Sequence, residues 1–139
     1  MTLQEMAQTH AAAFTRSRPW TAEEFSDLLN NPFTQAIGDA RCFALIKVIA
    51  DEAELLTIAT HPDHQRQGLA RECMTAWHLA AQSQGATRAF LDVAADNHPA
   101  IALYQACHYS ACGRRKAYYR RKNGPNVDAI VMECALDRP

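Results

Sequence analysis

The chain predicts a mixed α/β sandwich: a mostly antiparallel sheet that includes one parallel pair, packed against helices. Three features of the sequence carry this reading. Two amphipathic stretches precede any strand. Three strand-like runs then follow, joined by turns too short for a crossover, as in an antiparallel meander. A long amphipathic stretch finally separates the third run from a fourth, the spacing of a βαβ unit whose strands lie parallel. The resulting order of elements is ααβββαβαββ.

Each element has a local reason. Leu3, Met6, Ala7, His10, Ala13 and Phe14 recur at helical spacing, and Arg16 to Pro19 ends this first helix. Thr21-Ala22-Glu23-Glu24 is a capping box, in which Thr21 bonds the Glu24 amide and Glu24 reaches back. Phe25, Leu28 and Leu29 form the apolar face of that second helix, which stops near Asn30-Asn31-Pro32. Phe33 to Ile37 is a short strand, Cys42 to Ala50 a stronger one, and Asp51-Glu52 turns the chain into Leu55 to Thr60, which His61-Pro62-Asp63 breaks. The helix opening after Gly68 presents Leu69, Cys73, Ala76, Trp77 and Ala80 on one face and runs about five turns to Gly85. Thr87 to Val93 alternates Ala89, Leu91 and Val93 against Arg88, Phe90 and Asp92. Asn97 caps a short helix holding Ile101, Leu103 and Tyr104, and Tyr109 to Tyr119 and Val127 to Leu136 pair around Lys122-Asn123-Gly124-Pro125.

Composition narrows the function classes. A chain of 139 residues, 48% apolar and 21% charged, suits a single globular domain over 1–139 with its own core. A net charge of −1 argues against a general nucleic-acid coat, and no direct nucleic-acid contact is expected. Neither a membrane-spanning run nor a secretory leader is evident, so a cytoplasmic protein, monomeric or weakly dimeric, is expected. Cys42, Cys73, Cys107, Cys112 and Cys134 have no zinc-site spacing and read as reduced thiols; no metal is expected. His108 beside Cys107 does not make a nucleophilic pair, because adjacent residues point in different directions.

The stretch with most chemistry is Leu55 to Arg71. Gln65-Arg66-Gln67-Gly68-Leu69-Ala70 places a glycine and an alanine where backbone N–H groups have no intrahelical partner. Small residues there let phosphates approach, and the helix dipole favours their charge. No Gly-Lys-Ser/Thr follows, so this is not a nucleotide P-loop, and by itself the turn fits either a phosphate ligand or an ordinary helix start.

Taken with Leu91-Asp92-Val93, with Asn97-His98-Pro99-Ala100-Ile101-Ala102-Leu103-Tyr104 and with Pro19-Trp20, this turn resembles the signature of the GNAT N-acetyltransferases, Gln/Arg-x-x-Gly-x-Gly/Ala. Within that family the likeness is to the bacterial ribosomal-protein-alanine N-acetyltransferase group, over roughly residues 14 to 136. The resemblance implies the GNAT (acyl-CoA N-acyltransferase) fold, whose mostly antiparallel sheet has a central splayed parallel strand pair and helices on both faces, and acetyl-CoA as co-substrate. It places the pyrophosphate on the main chain of Gln65, Arg66, Gln67, Gly68, Leu69 and Ala70 with Arg71 close by. The acetyl carbonyl falls to an amide of the preceding strand, near Ile58, Ala59 and Thr60. Asn97 is implied to touch the cofactor, and Tyr104 to be the general acid at the leaving sulfur.

The chain departs from the group at the general base, where aspartate, Asp92, replaces the usual glutamate. Aspartate is shorter by one methylene, about 1.5 Å of reach, so it acts through a water or leaves the role to Glu54 at the head of the central strand. His108 stands where a glycine with positive φ is usual, a conformation that histidine tolerates. The implied reaction is direct acetyl transfer to a primary amine, the N-terminal amine of a protein and possibly a ribosomal one. A small amine or antibiotic as acceptor, or a non-catalytic CoA-binding module, are the alternatives. Six of the fourteen Lys and Arg lie in 114–122, a run that either protects an edge strand or draws an acidic peptide or ribosomal surface to the acceptor groove.

Overall fold

The computed structural model describes residues 1–15 and 18–136. Helices α1 (Leu3–Ala13) and α2 (Ala22–Leu29) precede strands β1 (Thr34–Asp39), β2 (Cys42–Ile49) and β3 (Glu52–Thr60). A single 3-10 turn, Pro62–His64, leads to α3 (Leu69–Ser83), followed by β4 (Arg88–Ala94), α4 (His98–Ala106), β5 (Ser110–Tyr119) and β6 (Val127–Ala135). The element order is the one expected. Arg16 and Ser17, within the segment expected to end the first helix, lie outside the described residues; α1 itself ends at Ala13.

The six strands form one sheet in the order β1-β2-β3-β4-β6-β5, with β3 and β4 as the parallel pair. Both helices at the start of the chain open on capping boxes. Thr2 and Glu5 bond reciprocally at α1, and Thr21 and Glu24 at α2. Helix α3 is about four turns long rather than five, because Gln84 and Gly85 leave the helix to bond back to Ala81 and Gln82. Its inward face is Cys73, Met74, Trp77 and Ala81, whereas Ala76, assigned inward by spacing, is exposed. No helix among the described residues is long and apolar enough to cross a membrane.

Two apolar clusters lie on opposite faces of the sheet. Residues Cys42, Ala44, Ile46 and Val48 of β2 and Ala89, Leu91 and Val93 of β4 meet Trp77 and Met74 of α3 and Tyr104 of α4. On the other face, Phe43 and Leu45 of β2 meet Met6 of α1 and Phe25 of α2, with Phe25 and Phe43 edge-to-face at 5.7 Å. Alternation along β2 thus serves both cores at once, which explains its almost unbroken apolar sequence. Free thiols account for all five cysteines, three of them buried.

His10 and His78 are built into these layers as neutral rings. Nδ1 of His10 accepts the Trp20 amide at 3.2 Å, and the ring stacks on Phe14 and Trp20. Nε2 of His78 lies 2.7 Å from the Tyr109 hydroxyl. Burial lowers both imidazoles to about 4.

An unfolded histidine takes up a proton near pH 6.5, whereas these two resist protonation until about 4. Stability is therefore full above pH 6.5 and falls as pH drops toward 4, by up to about 3 kcal/mol for each ring. Urea unfolding at pH 7.5 and pH 4.5 should show that loss, and His78→Gln should reduce it. Trp77→Ala, which empties the centre of the α3 layer, should cost about 3–5 kcal/mol at either pH in the same assay.

Candidate active site at the break in the sheet

The site exists because β3 changes its behaviour at one residue. Against β2, Ile46 pairs with Leu55 and Leu45 with Thr57, so Leu56 is an extra residue with no partner, a β-bulge. Before it, Ala53 and Leu55 pack into the α3 core. After it, Ile58 packs on that side and Ala59 joins the α1/α2 core, so the side-chain phase is inverted. Pairing with β4 stops at the same place, since only Glu52 to Leu55 register with Arg88 to Leu91. Strand β4 continues against β6 to Ala94. From Leu56 and Asp92 onward the facing edges of the two parallel strands are bare.

A cavity of about 250 Å³ occupies this parting. Strand residues Leu55 to Ile58 and Asp92 to Ala94 line it, with His10, Phe14 and Trp20 from one face of the sheet and Asn97 and Tyr104 from the other. It therefore connects the two faces through the sheet. Asn97 caps α4 by accepting the Ala100 amide at 3.2 Å, which leaves its side-chain N–H groups available to a ligand. The Tyr104 hydroxyl bonds to no described residue, and burial pushes its pKa well above the usual phenol range. Held protonated, it is a hydrogen-bond donor. Ala59 and Thr60 lie past the cavity lining; Ala59 is buried in the α1/α2 core, and Thr60 donates to the Cys42 sulfur at 3.2 Å.

A second hollow of about 540 Å³ adjoins the first on the α2 side, sharing Trp20, Leu55, Leu56, Asp92 and Tyr119 with it. Its remaining lining is Glu24, Asp27, Leu28, Glu54 and Tyr118. Among the described residues, four carboxylates and no lysine or arginine line this groove, so its charge suits an ammonium group rather than an acidic peptide. The basic run beside it is largely engaged. Arg114 pairs with Asp128 at 2.6 Å, Arg115 with Asp92 at 3.5 Å, and Arg121 with Asp96 at 2.7 Å.

Glu54 and Asp92 stand on the same face, opposite the residues that fill the α3 core. Desolvation raises the Glu54 pKa, and the negative charge of Asp92 adds to that, against the pull of Lys47 and Arg115. Burial likewise pushes Tyr119 up to about 12. Tyr118 and Tyr119 are neighbours in sequence yet line the same groove. An irregularity in β5 permits this: the register shifts between Arg115 and Tyr119, Ala117 takes φ +50°, and its amide donates to Asp128 at 2.8 Å.

The turn Gln65 to Arg71 lies outside both hollows, exposed at the C-terminal end of β3. Arg66 has φ +64° and Gly68 φ +77°, so two residues of this turn take left-handed backbone conformations. The first bond into α3 runs from the Glu72 amide to the Gly68 carbonyl at 3.1 Å. Amides of Leu69, Ala70 and Arg71 precede it and have no intrahelical acceptor. At Gly68 a Cβ would meet nothing closer than 4.0 Å, so the backbone conformation rather than space calls for glycine. His108 takes φ +73°, as its place after α4 requires.

The parting brings together Ile58, Asp92, Asn97 and Tyr104, with Glu54 in the adjoining groove. It also recruits residues that the pattern did not mark. His10 read as one more inward position of α1, and only its bond to the Trp20 amide shows that it holds the Pro19-Trp20 segment over the cavity. Arg18, clamped on Glu24 by two bonds of 2.7 and 2.9 Å, ties that segment to α2. Arg115 and Arg121 were visible only as members of a charged run.

Known proteins share both the sequence and the shape. Residues 4–109 match the Acetyltransferase (GNAT) family model. The [ribosomal protein bS18]-alanine N-acetyltransferase of Escherichia coli K12 is 34% identical over 135 residues, covering 94% of this chain and 90% of that protein. Its counterpart in Salmonella typhimurium is 38% identical over 123 residues, 85% and 82% of the two chains. The crystal structure of the ribosomal-protein-S18-alanine N-acetyltransferase from Escherichia coli superposes with a TM-score of 0.88 at 29% identity, over 99% of this chain and 89% of that one. Arabidopsis thaliana NAA60 in complex with acetyl-CoA shares the fold, with a TM-score of 0.80 at 17% identity over 96% and 92% of the chains. With its parted parallel strands and its glycine turn at the mouth of α3, the chain belongs to the GNAT family of acetyl-CoA-dependent N-acetyltransferases.

Proposed function

We propose that the protein acetylates the N-terminal α-amine of a protein substrate, the alanine of ribosomal protein bS18. The observation that carries this is the identity of 34–38% to bS18-alanine N-acetyltransferases across most of both chains. The open carboxylate-lined groove leading to the parting supports it, because a peptide terminus enters there as an ammonium ion.

Acetyl-CoA supplies an activated acyl group with a thiolate leaving group. In this reading the amides of Leu69, Ala70 and Arg71 and the turn Gln65 to Gly68 hold its pyrophosphate, at the positive end of the α3 dipole. Asn97 bonds the pantetheine arm. The unpaired edge of β3, from Leu56 to Thr60, offers the carbonyl an amide in the stretch near Ile58, Ala59 and Thr60. Glu54 and Asp92 receive the ammonium and take its proton. Tyr104 donates to the departing sulfur from the opposite face of the sheet.

Incubation with acetyl-CoA and a peptide bearing the bS18 N-terminus should yield an N-terminally acetylated peptide by mass spectrometry; faster transfer to small amines than to this peptide would overturn the assignment. Tyr104→Phe preserves the buried ring and should lower kcat about 100-fold while KM changes little. Gly68→Asp keeps a residue tolerant of positive φ but places a carboxylate in the cradle. Its acetyl-CoA dissociation constant, measured by calorimetry, should rise at least about tenfold.

A further inference from the structure

The two carboxylates of the groove differ in what already holds them. Asp92 stands at the lip of the parting with its Oδ1 3.5 Å from Arg115 Nε. The same guanidinium lies 5.5 Å over the Tyr118 ring, so one cation ties the β4 carboxylate to the aromatic lip of the groove. Glu54 has neither an ion pair nor a hydrogen bond among the described residues, and it lines the groove half-buried. Cross-strand registers place it opposite Phe90 on β4 and Lys47 on β2. Two residues further along, Leu56 and Asp92 begin the parting. Glu54 therefore stands just outside the break, on the face from which an amine must come, with the longer side chain of the two.

We propose that Glu54 is the general base of this enzyme and that Asp92, held by Arg115, is the anchor that orients the incoming ammonium. This rests on the acetyltransferase reading of the groove and divides between two residues a role that the family reading leaves to one. An ammonium at the lip meets Asp92 as counter-ion and gives one proton to Glu54: an N–H bond breaks and an O–H bond forms on the carboxylate. The freed lone pair makes the N–C bond as the C–S bond breaks. That first proton leaves Glu54 for solvent through the open groove, and the second amine proton balances the one that ends on the CoA sulfur. Asp92 already has a guanidinium partner, whereas Glu54 has none among the described residues and lines the groove ready to take the proton. The pKa of Glu54 is raised by desolvation.

The charged and titratable groups around Glu54 are Lys47 on β2, Asp92 on β4, Arg115, Tyr118 and Tyr119 on β5, and Glu24 and Asp27 on α2 across the groove. Lys47 and Arg115 oppose the rise and Asp92 promotes it. Removing the Arg115 charge should therefore move the acid limb of the rate profile to higher pH.

The test uses the full-length enzyme with whichever amine the wild type acetylates best, so a wrong acceptor assignment does not decide it. Glu54→Gln should lower kcat about 100-fold and abolish the acid limb of the kcat–pH profile, with the acetyl-CoA affinity unchanged. Asp92→Asn should keep that limb, displaced to lower pH, and act mainly on KM for the amine, raising it about tenfold. Arg115→Gln should shift the limb upward, and Glu54→Asp should restore part of the rate. A Glu54→Gln enzyme within about threefold of wild-type kcat that retains the limb would overturn the proposal, as would loss of the limb in Asp92→Asn.

Discussion

Everything in this molecule that bears on chemistry depends on the bulge at Leu56. A bulge inserts one residue into one strand, bends it and inverts the side-chain phase beyond it. Here that bend coincides with the last parallel pair, Leu55 with Leu91, so β3 turns away from β4 while β4 stays paired to β6. The unpaired backbone that results would be a liability inside a core, where orphaned N–H and C=O groups are costly. Placed against a cavity, it becomes a row of donors and acceptors for a ligand.

The parting also solves a problem of access. A sheet with helices on both faces keeps the two sides apart, yet acyl transfer needs the amine and the thioester to meet. The gap joins the hollow lined by Tyr104, anchored in the α3/α4 core, to the groove lined by Glu54 and Asp92 on the α2 side, so in the proposed reaction they approach one point from opposite faces. The proposed acid and base thereby stand on different sides of the sheet. His10 and Arg18 complete the α2 side by holding Trp20 over the gap through a backbone bond and an ion pair.

The β5 edge has a comparable economy. A run of arginines and lysines on an edge strand protects it from pairing with another chain. Three of these arginines meet aspartates of neighbouring strands and loops. Asp128 serves twice, pairing with Arg114 and holding the Ala117 amide, and so maintains the irregularity that points Tyr118 and Tyr119 to one groove. The basic stretch is thus a frame for an acidic groove more than an attractant for acidic partners.

The sequence by itself determined the order of elements, both capping boxes, the glycine turn before α3 and the positions of Asn97 and Tyr104, because local spacing and backbone chemistry encode these directly. Strand ends moved by one to three residues, and Ala76 turned outward, because the exact face of a helix is decided by what it packs against. Only the tertiary structure decided where β3 breaks. Leu55, Leu56, Thr57 and Ile58 are all apolar or β-branched, and no alternation in such a run reveals which one lacks a partner until β2 and β4 lie beside it. The surroundings of His10, Arg115 and Glu54 are non-local for the same reason: each is set by residues on other elements, and a linear pattern carries no record of those distances.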